Sequence, residues 1–467
     1  MMAAGLTLAA AQAYDIPVDL EATGLKTLVI QTVEGEEPVC DPVEAPPGSW
    51  GVGITNVNKV PGSVLIVDTD GTVLYDSGAY EKKESGMTIK VRGNTSALHA
   101  KKPFKIKLEK KADLLLRGDK DLRDKNWVLL SNRNNLQEIG FLTGKLVGMS
   151  WAPEGEYVNV VINDDYRGLY LLAEAVERNE TCRIRTAETG FIAERDPYWW
   201  NENGEYLPSV WNPEFNWTMK YPDFEDLDAA TTGHIESALG EFEKVISTED
   251  YEDVIDTDSF CRWIIAQDIL GTIDGGGTNF YLARYDDNPE SKLFVPVLWD
   301  VDSGEDTEGD WSAVHREGMI APLFDNTNPA FRLRYISLYK EISGEVFAGI
   351  EKFTESLLTE GMDGFNRAVE LNNIRWPEEL MYTSQHNAAD MQEWFPARKL
   401  WLDGAVAALE LETGVDEIKE AAGEGEIEVF TLDGRRIHSG REDAFRRPAP
   451  GVYIVKGAGK PRKVIYQ

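Results

Sequence analysis

The sequence predicts a mixed α+β protein, and three observations carry that expectation. Short apolar runs recur between residues 25 and 174 and again over 427–467, several of them alternating with polar residues in the pattern of strands. Apolar residues at helical spacing dominate 233–272 and 327–413. Between the two helical stretches, residues 274–302 read as a β-hairpin with acidic groups gathered at its open end.

Length and charge set the bounds. A chain of 467 residues can bury a large core and is expected to hold two or three domains. Lys and Arg number 47 against 81 Asp and Glu, a formal charge of −34, which argues against a nucleic-acid partner. No stretch approaches the roughly 20 apolar residues of a membrane span. The histidines are scattered and no H-E-x-x-H occurs. Cys40, Cys182 and Cys261 form no C-x-x-C, so a thiolate zinc site is not expected. The apolar start, residues 1–13, ends in Ala11-Gln12-Ala13 and resembles the end of a secretory signal. The expected location is therefore outside the cytoplasm: periplasmic, cell-surface or secreted.

Taken in order, residues 14–84 read as an N-terminal β-rich module. Its runs at Leu25–Thr32, Ser63–Asp68 and Thr72–Tyr75 are broken by Pro46-Pro47-Gly48 and by the turn Asp70-Gly71. Residues 82–145 then reverse the charge pattern, with 16 Lys/Arg against 7 Asp/Glu, a local +9. Such an island in so acidic a chain argues for an anionic ligand nearby. It holds Arg92-Gly93-Asn94-Thr95-Ser96 and the alternating strand Phe104–Leu108. A strand, a glycine turn and a lysine-bearing strand make a phosphate cradle. Lys105, in mid-strand, is the expected phosphate contact. Most of the other lysines are expected on a solvated face.

Gln137–Met149 has helical spacing, and 156–174 forms a second hairpin ending in Glu174. Glu174 is expected to pair with Lys105 and hold it in place. Residues 198–222 are rich in Trp, Tyr, Asn and Pro and read as a long irregular insertion. Its Trp-rich part, 198–217, could stack on a glycan, although packing beneath a loop is the commoner fate of such residues. The helix Phe260–Leu270 runs into a glycine-rich turn bearing Asp274.

In the hairpin that follows, strand-like 280–286 and 293–299 flank a DNPESK turn. A register centred on that turn places Asn279 opposite Asp300 and Phe280 opposite Trp299, at the roughly 5 Å spacing of antiparallel partners. Asn279 and Asp300 at that spacing can share one divalent cation, with Asp302 following on the face of Asp300. An Asp, four residues, an Asn, and then a second Asp after the next hairpin is the order in which protein kinases set out their base and metal ligands. The same residues also read as an acidic turn beside a buried strand pair, holding a structural calcium. After the second helical stretch, a polar linker at 413–426 leads to a small β module at 427–467.

Several motifs together resemble the CotH kinase family, named for spore-coat protein H, in its secreted Bacteroidota-type form. They are RGNTS at 92–96, KKPFKIKL at 101–108, NWVLLSN at 126–132, YRGLYLLAE at 166–174, GFIAE at 190–194, D-x4-NFYL at 274–282 and WDVD at 299–302. The resemblance implies an atypical protein-kinase-like, two-lobed fold over 85–412, using ATP with Mg²⁺ or Mn²⁺ to phosphorylate a protein acceptor. It implies Lys105 on the α- and β-phosphates, Arg92 touching phosphate through the turn, Glu174 as the partner of Lys105 and Asp274 as the base. Asn279 and Asp300 would then be the metal ligands, with Asp302 assisting. Residues 427–467 resemble the β-sandwich-like sorting domain of type IX secretion, which implies export. Two other readings remain at this level: an inactive surface scaffold or adhesin on the same fold, and phosphoryl transfer to a small acceptor.

Overall fold

The computed structural model describes residues 14–49, 51–55, 58–201, 205–272, 278–301, 318–325, 329–421, 426–431, 435–441, 451–456 and 462–466. After a single turn α1 (Val18–Glu21), the first 174 residues supply ten strands: β1 (Thr27–Thr32), β2 (Pro42–Glu44), β3 (Val52–Ile54), β4 (Val60–Val67), β5 (Val73–Asp76), β6 (Met87–Val91), β7 (Phe104–Ala112), β8 (Asp124–Leu130), β9 (Gly155–Ile162) and β10 (Asp165–Glu174). Strands β2 and β3 form a side hairpin. The other eight form one sheet in the order β1-β9-β10-β8-β7-β6-β4-β5, in which β1 also pairs with β4. The sheet therefore closes on itself as a barrel, with β5 added on the flank of β4.

Alternation decides what fills the barrel. On β7, Phe104, Ile106 and Leu108 are buried while Lys105 and Lys107 face out. Ile106 pairs with Trp127, and both join Ile89, Leu129, Val160 and Leu172 in the interior cluster. The boundary expected at residues 84/85 is corrected here. Strands β1 and β4 are barrel staves, paired along Thr27–Thr32 with 67–62, and β1 runs parallel to β9 from Thr27↔Asn159 to Ile30↔Ile162. Apolar runs in 14–84 cannot report this closure, because their partners lie up to 130 residues downstream.

The second sheet has five strands: β11 (Phe191–Asp196), β12 (Tyr206–Leu207), β13 (Asn216–Tyr221), β14 (Phe280–Arg284) and β15 (Leu293–Phe294), in the order β12-β13-β11-β14-β15. The stretch 198–222 is thus not wholly irregular, since Asn216–Tyr221 pairs with β11 beside its centre. Val128, Leu171 and Ala173 on the outside of the barrel pack against Ile192, Tyr281, Ala283 and Trp299 of this second half.

Helix α2 (Leu136–Val147) leaves β8 and returns to β9. It ends where Gly148 takes the left-handed conformation (φ 79°) and the Met149 N–H donates back to Gly144 O at 2.9 Å, a glycine-capped stop. The helical half holds α3 (Ala229–Val245), the short α4 (Tyr251–Val254), α5 (Thr257–Leu270), α6 (Pro329–Ser356), α7 (Asp363–Arg375) and α8 (Ser384–Ala421). Asp228 and Asp256 cap α3 and α5 by accepting the N–H groups of Thr231 (2.7 Å) and Ser259 (3.1 Å). Helix α8 runs through most of the expected linker at 413–426. Beyond it β16 (Glu426–Thr431), β17 (Arg436–Arg441), β18 (Gly451–Lys456) and β19 (Arg462–Tyr466) form a separate antiparallel sheet, in the order β17-β16-β18-β19. No helix among the described residues is long and apolar enough to cross a membrane.

Candidate active site

The outer face of the barrel at β6, β7 and β8 is polar where it meets the second sheet. Lys90 pairs with Lys105, and Thr88 with Lys107 and so with Asn126. Paired residues point to the same face, so all five stand on one wall. Strand β13 supplies the opposite wall with Thr218, Met219 and Lys220. The cleft between them has a volume of about 420 Å³ and is lined by five lysines, Lys59, Lys90, Lys105, Lys107 and Lys220, and by four carboxylates, Glu177, Glu205, Asp223 and Glu225. In a chain of charge −34, such a gathering of lysines, though nearly balanced by the carboxylates, is where an anion would find most cations.

Lys105 donates to Glu177 Oε1 at 2.6 Å. The expected partner, Glu174, is corrected. Lys105 shares a row with Val128 and Ala173, whereas Glu174 pairs with Trp127 and faces the other way. Glu174 is buried, accepts from Arg117 Nη2 at 3.0 Å and from the Glu154 N–H at 3.1 Å, and does not touch Lys105. Arg117 also grips Asp113 at 3.0 Å and Glu154 at 3.0 Å. Glu177 sits three residues beyond Glu174 and so falls on the other parity. The sequence signal was the strand's two-residue period, but locating Glu177 also required knowing where β10 ends.

Arg92 follows β6 on a turn that requires glycine, since Gly93 has φ 81°. Its guanidinium lies 5.8 Å from the Trp299 ring centre. Tyr281 lies close by, buried and hydrogen-bonded to Glu194. Burial, with the Glu194 carboxylate and then Asp300, raises the Tyr281 hydroxyl well above its usual range, while Arg92 pulls it down. Arg92 and Asp300 therefore act on the same hydroxyl, which stays protonated and donates to Glu194. Lys220 reaches Glu194 at 2.6 Å. From the lysine-lined cleft, Lys220 thus reaches Glu194, and Glu194 reaches Tyr281, whose hydroxyl also feels the charges of Arg92 and Asp300. Lys220 and Tyr281 were not singled out by sequence reasoning. Each sits beside a residue that strand alternation alone would have read as packing.

The hairpin register also needs correction. Strand β14 pairs with β15 through Ala283↔Phe294 and Arg284↔Leu293. That alignment is two residues from the expected one, and the ladder does not extend to Asn279 and Asp300. Strand β14 instead spends its other edge on β11, Phe280 opposite Arg195 and Tyr281 opposite Glu194. Asn279 and Asp300 nevertheless share one feature: each takes a left-handed backbone, φ 54° and 57°. Asn and Asp adopt this region several-fold more often than other non-glycine residues, and such conformations cluster at ligand sites. Asp300 is exposed and Asn279 half-buried. Asp274 and Asp302 lie outside the described residues. Among the described residues no three His, Cys, Asp or Glu side chains come together as a metal site.

The turn between β6 and β7 is held from behind. Lys101 is buried, with its Nζ donating to Leu169 O at 2.6 Å and standing 4.7 Å from the Tyr170 ring centre. Burial brings its ammonium down to about 7. The Glu379 carboxylate accepts from the N–H groups of Ala100 and Lys101. Lys101 thus fastens the turn to the helical half. In the Trp-rich stretch, Trp199 and Trp200 are half-buried. Tyr198 meets Thr95 at 3.2 Å, and Asn201 donates to Ile54 O at 2.7 Å. These contacts lay the stretch over β3 and the 92–96 turn.

A family model described as CotH kinase protein matches residues 89–402, more than half of the chain. No curated protein matches it.

Proposed function

The chain belongs to the CotH kinase family, and from that premise we propose that it is a metal-dependent phosphotransferase acting on a protein hydroxyl. The observation that carries the reading is the cleft of about 420 Å³ lined by five lysines, with Lys105 on its wall held by Glu177 at 2.6 Å. A cleft that gathers lysines together with carboxylates matches the demands of a nucleotide triphosphate and its cation. In this reading the barrel and the helical half act as the two lobes of a kinase-like fold, with the cleft between them.

Lys105 and Arg92 hold phosphate oxygens, and Glu177 takes the orienting part first given to Glu174. Lys220 adds a third cation from the far wall. Asn279 and Asp300 hold the divalent cation, Mg²⁺ or Mn²⁺, with Asp302 assisting. Their left-handed backbones suit a site whose geometry is set before the ligand arrives. Bound ATP and metal supply the phosphoryl group and neutralise its charge. Asp274 accepts the proton of the attacking acceptor hydroxyl. The acceptor is a Ser or Thr of a protein outside the cytoplasm. That location rests on the leader-like start and on the C-terminal sheet at 426–466, whose sequence resembles a secretion-sorting domain.

The test is a thermal melt of the full chain with ATP and with Mg²⁺ or Mn²⁺, separately and together, beside Asp300→Ala. The expected result is a rise that needs nucleotide and metal together, worth about 2.7 kcal/mol at a hundredfold excess over Kd, and absent in Asp300→Ala. A rise with metal alone would identify a structural cation site. No rise with any combination would favour a scaffold without catalysis.

A further inference from the structure

Helix α2 lies against the segment that carries Asp300, and a glycine lets it come that near. A Cβ built on Gly140 would fall 2.1 Å from Val301 Cγ2, where carbon atoms prefer about 3.5–4.0 Å. One turn further, a Cβ on Gly144 would meet Leu298 Cβ at 3.5 Å, an ordinary contact. Between them the Phe141 ring stacks on Trp299, centres 6.0 Å apart. Residues 298–301 are thus laid along one face of α2.

The helix is closely packed on a second side as well. On another of its faces Leu146 meets Gly349 of α6, where an added Cβ would stand 2.4 Å from Leu146 Cδ1. Val301 is buried, but Asp300 beside it is exposed. A methyl added at position 140 is therefore accommodated by displacing residues 300–301, not the helix.

We infer that Gly140 is a positioning residue for Asp300: its missing side chain lets α2 fix where the Asp300 carboxylate stands, and with it the affinity for the divalent cation. The inference rests on the phosphotransfer reading above. A sequence reader sees only a glycine in mid-helix, a substitution that ordinarily costs helix stability. Here the close approach of Val301 accounts for it.

The experiment titrates Mn²⁺ into the full chain at saturating ATP and reads the melting temperature. It compares wild type with Gly140→Ala, Val301→Ala, the double variant and Gly144→Ala. Overlap in the first and a gap in the second should each loosen Asp300, raising the half-saturating Mn²⁺ concentration by about tenfold and about threefold. In the double variant the new methyl fills the space that Val301 vacates, and the midpoint returns to within about twofold of wild type. Gly144→Ala should leave it unchanged. A wild-type midpoint in Gly140→Ala, or one that stays high in the double variant, overturns the inference and leaves the phosphotransfer reading standing. A wild type with no joint response to ATP and Mn²⁺ defeats that reading and the inference with it. Should Gly140→Ala not fold, Val301→Ala and the double variant carry the comparison, and equal midpoints in those two overturn it.

Discussion

The two faces of β8 and β10 carry two cation–carboxylate partnerships, and they differ in how completely they are satisfied. On the Trp127 face, Arg117 is gripped by Asp113, Glu154 and Glu174, its side chain 17% exposed. On the other face Lys105, 31% exposed, meets one carboxylate among the described residues, Glu177. Arg117 has spent its donors on the protein. Lys105 keeps two of its three N–H groups for something else, and it keeps them at the wall of a cleft. Saturation marks a structural ion pair, and its lack marks a candidate ligand contact.

That contrast can be broken most forcefully at Arg117. Arg117→Met leaves three carboxylates facing one another, with Glu174 buried. It should cost about 3–5 kcal/mol by urea denaturation, while the protein that remains folded still responds to ATP and metal. If the response vanishes although the fold survives, Arg117 belongs to the ligand site and the contrast is wrong.

Lys101 lies between the two cases. It is buried like Arg117, but its Nζ meets a carbonyl and a ring rather than a carboxylate. Its folded value near 7 lies below the usual 10.5 of a lysine. From about pH 7 to 10.5 the unfolded chain therefore binds more protons at this site, and folding stability rises with pH. The contribution is at most about 1.4 kcal/mol for each pH unit crossed in that window. Lys101→Met should remove this slope, so melts at pH 7 and 9.5 should show the variant losing ground to wild type at the higher pH. Parallel curves would mean that Lys101 keeps its proton in the fold.

Lys105→Ala should do least to stability, within about 1 kcal/mol, as a half-exposed pair does. It should nonetheless remove most of the melting rise produced by ATP and Mn²⁺ together. A variant that loses stability and keeps the ligand response would place Lys105 with Arg117.

Much of this site was legible in the sequence because the strand period is short and strict. Lys105 and Lys107 had to share a face opposite Phe104, Ile106 and Leu108, and they do. The same rule could not find the partner of Lys105, because the phase of β10 relative to β7 depends on β8 between them. Glu174 falls on the wrong face by one residue, and the true partner, Glu177, lies three residues further on, past the end of β10. The 274–302 hairpin failed for a related reason. Its turn fixes a register only if the strands pair along their length, and β14 and β15 pair through two residues alone. The barrel was hidden more deeply, since no local pattern says that Thr27–Thr32 will meet 159–162. Gly140 was invisible for want of knowing what lies against it.

The parallel pairing of β1 with β9 has a consequence for how the chain is made. The barrel cannot close until β9 and β10, through residue 174, have left the ribosome, so for more than a hundred residues of synthesis the edge of β1 that β9 will cover waits open. The family match begins at residue 89, inside the barrel and after β1, β4 and β5 have passed. A fragment trimmed to that match would lose the staves β1 and β4 with the flanking β5, and expose the edges of β6 and β9, which makes the matched region a poor guide to the smallest piece that folds.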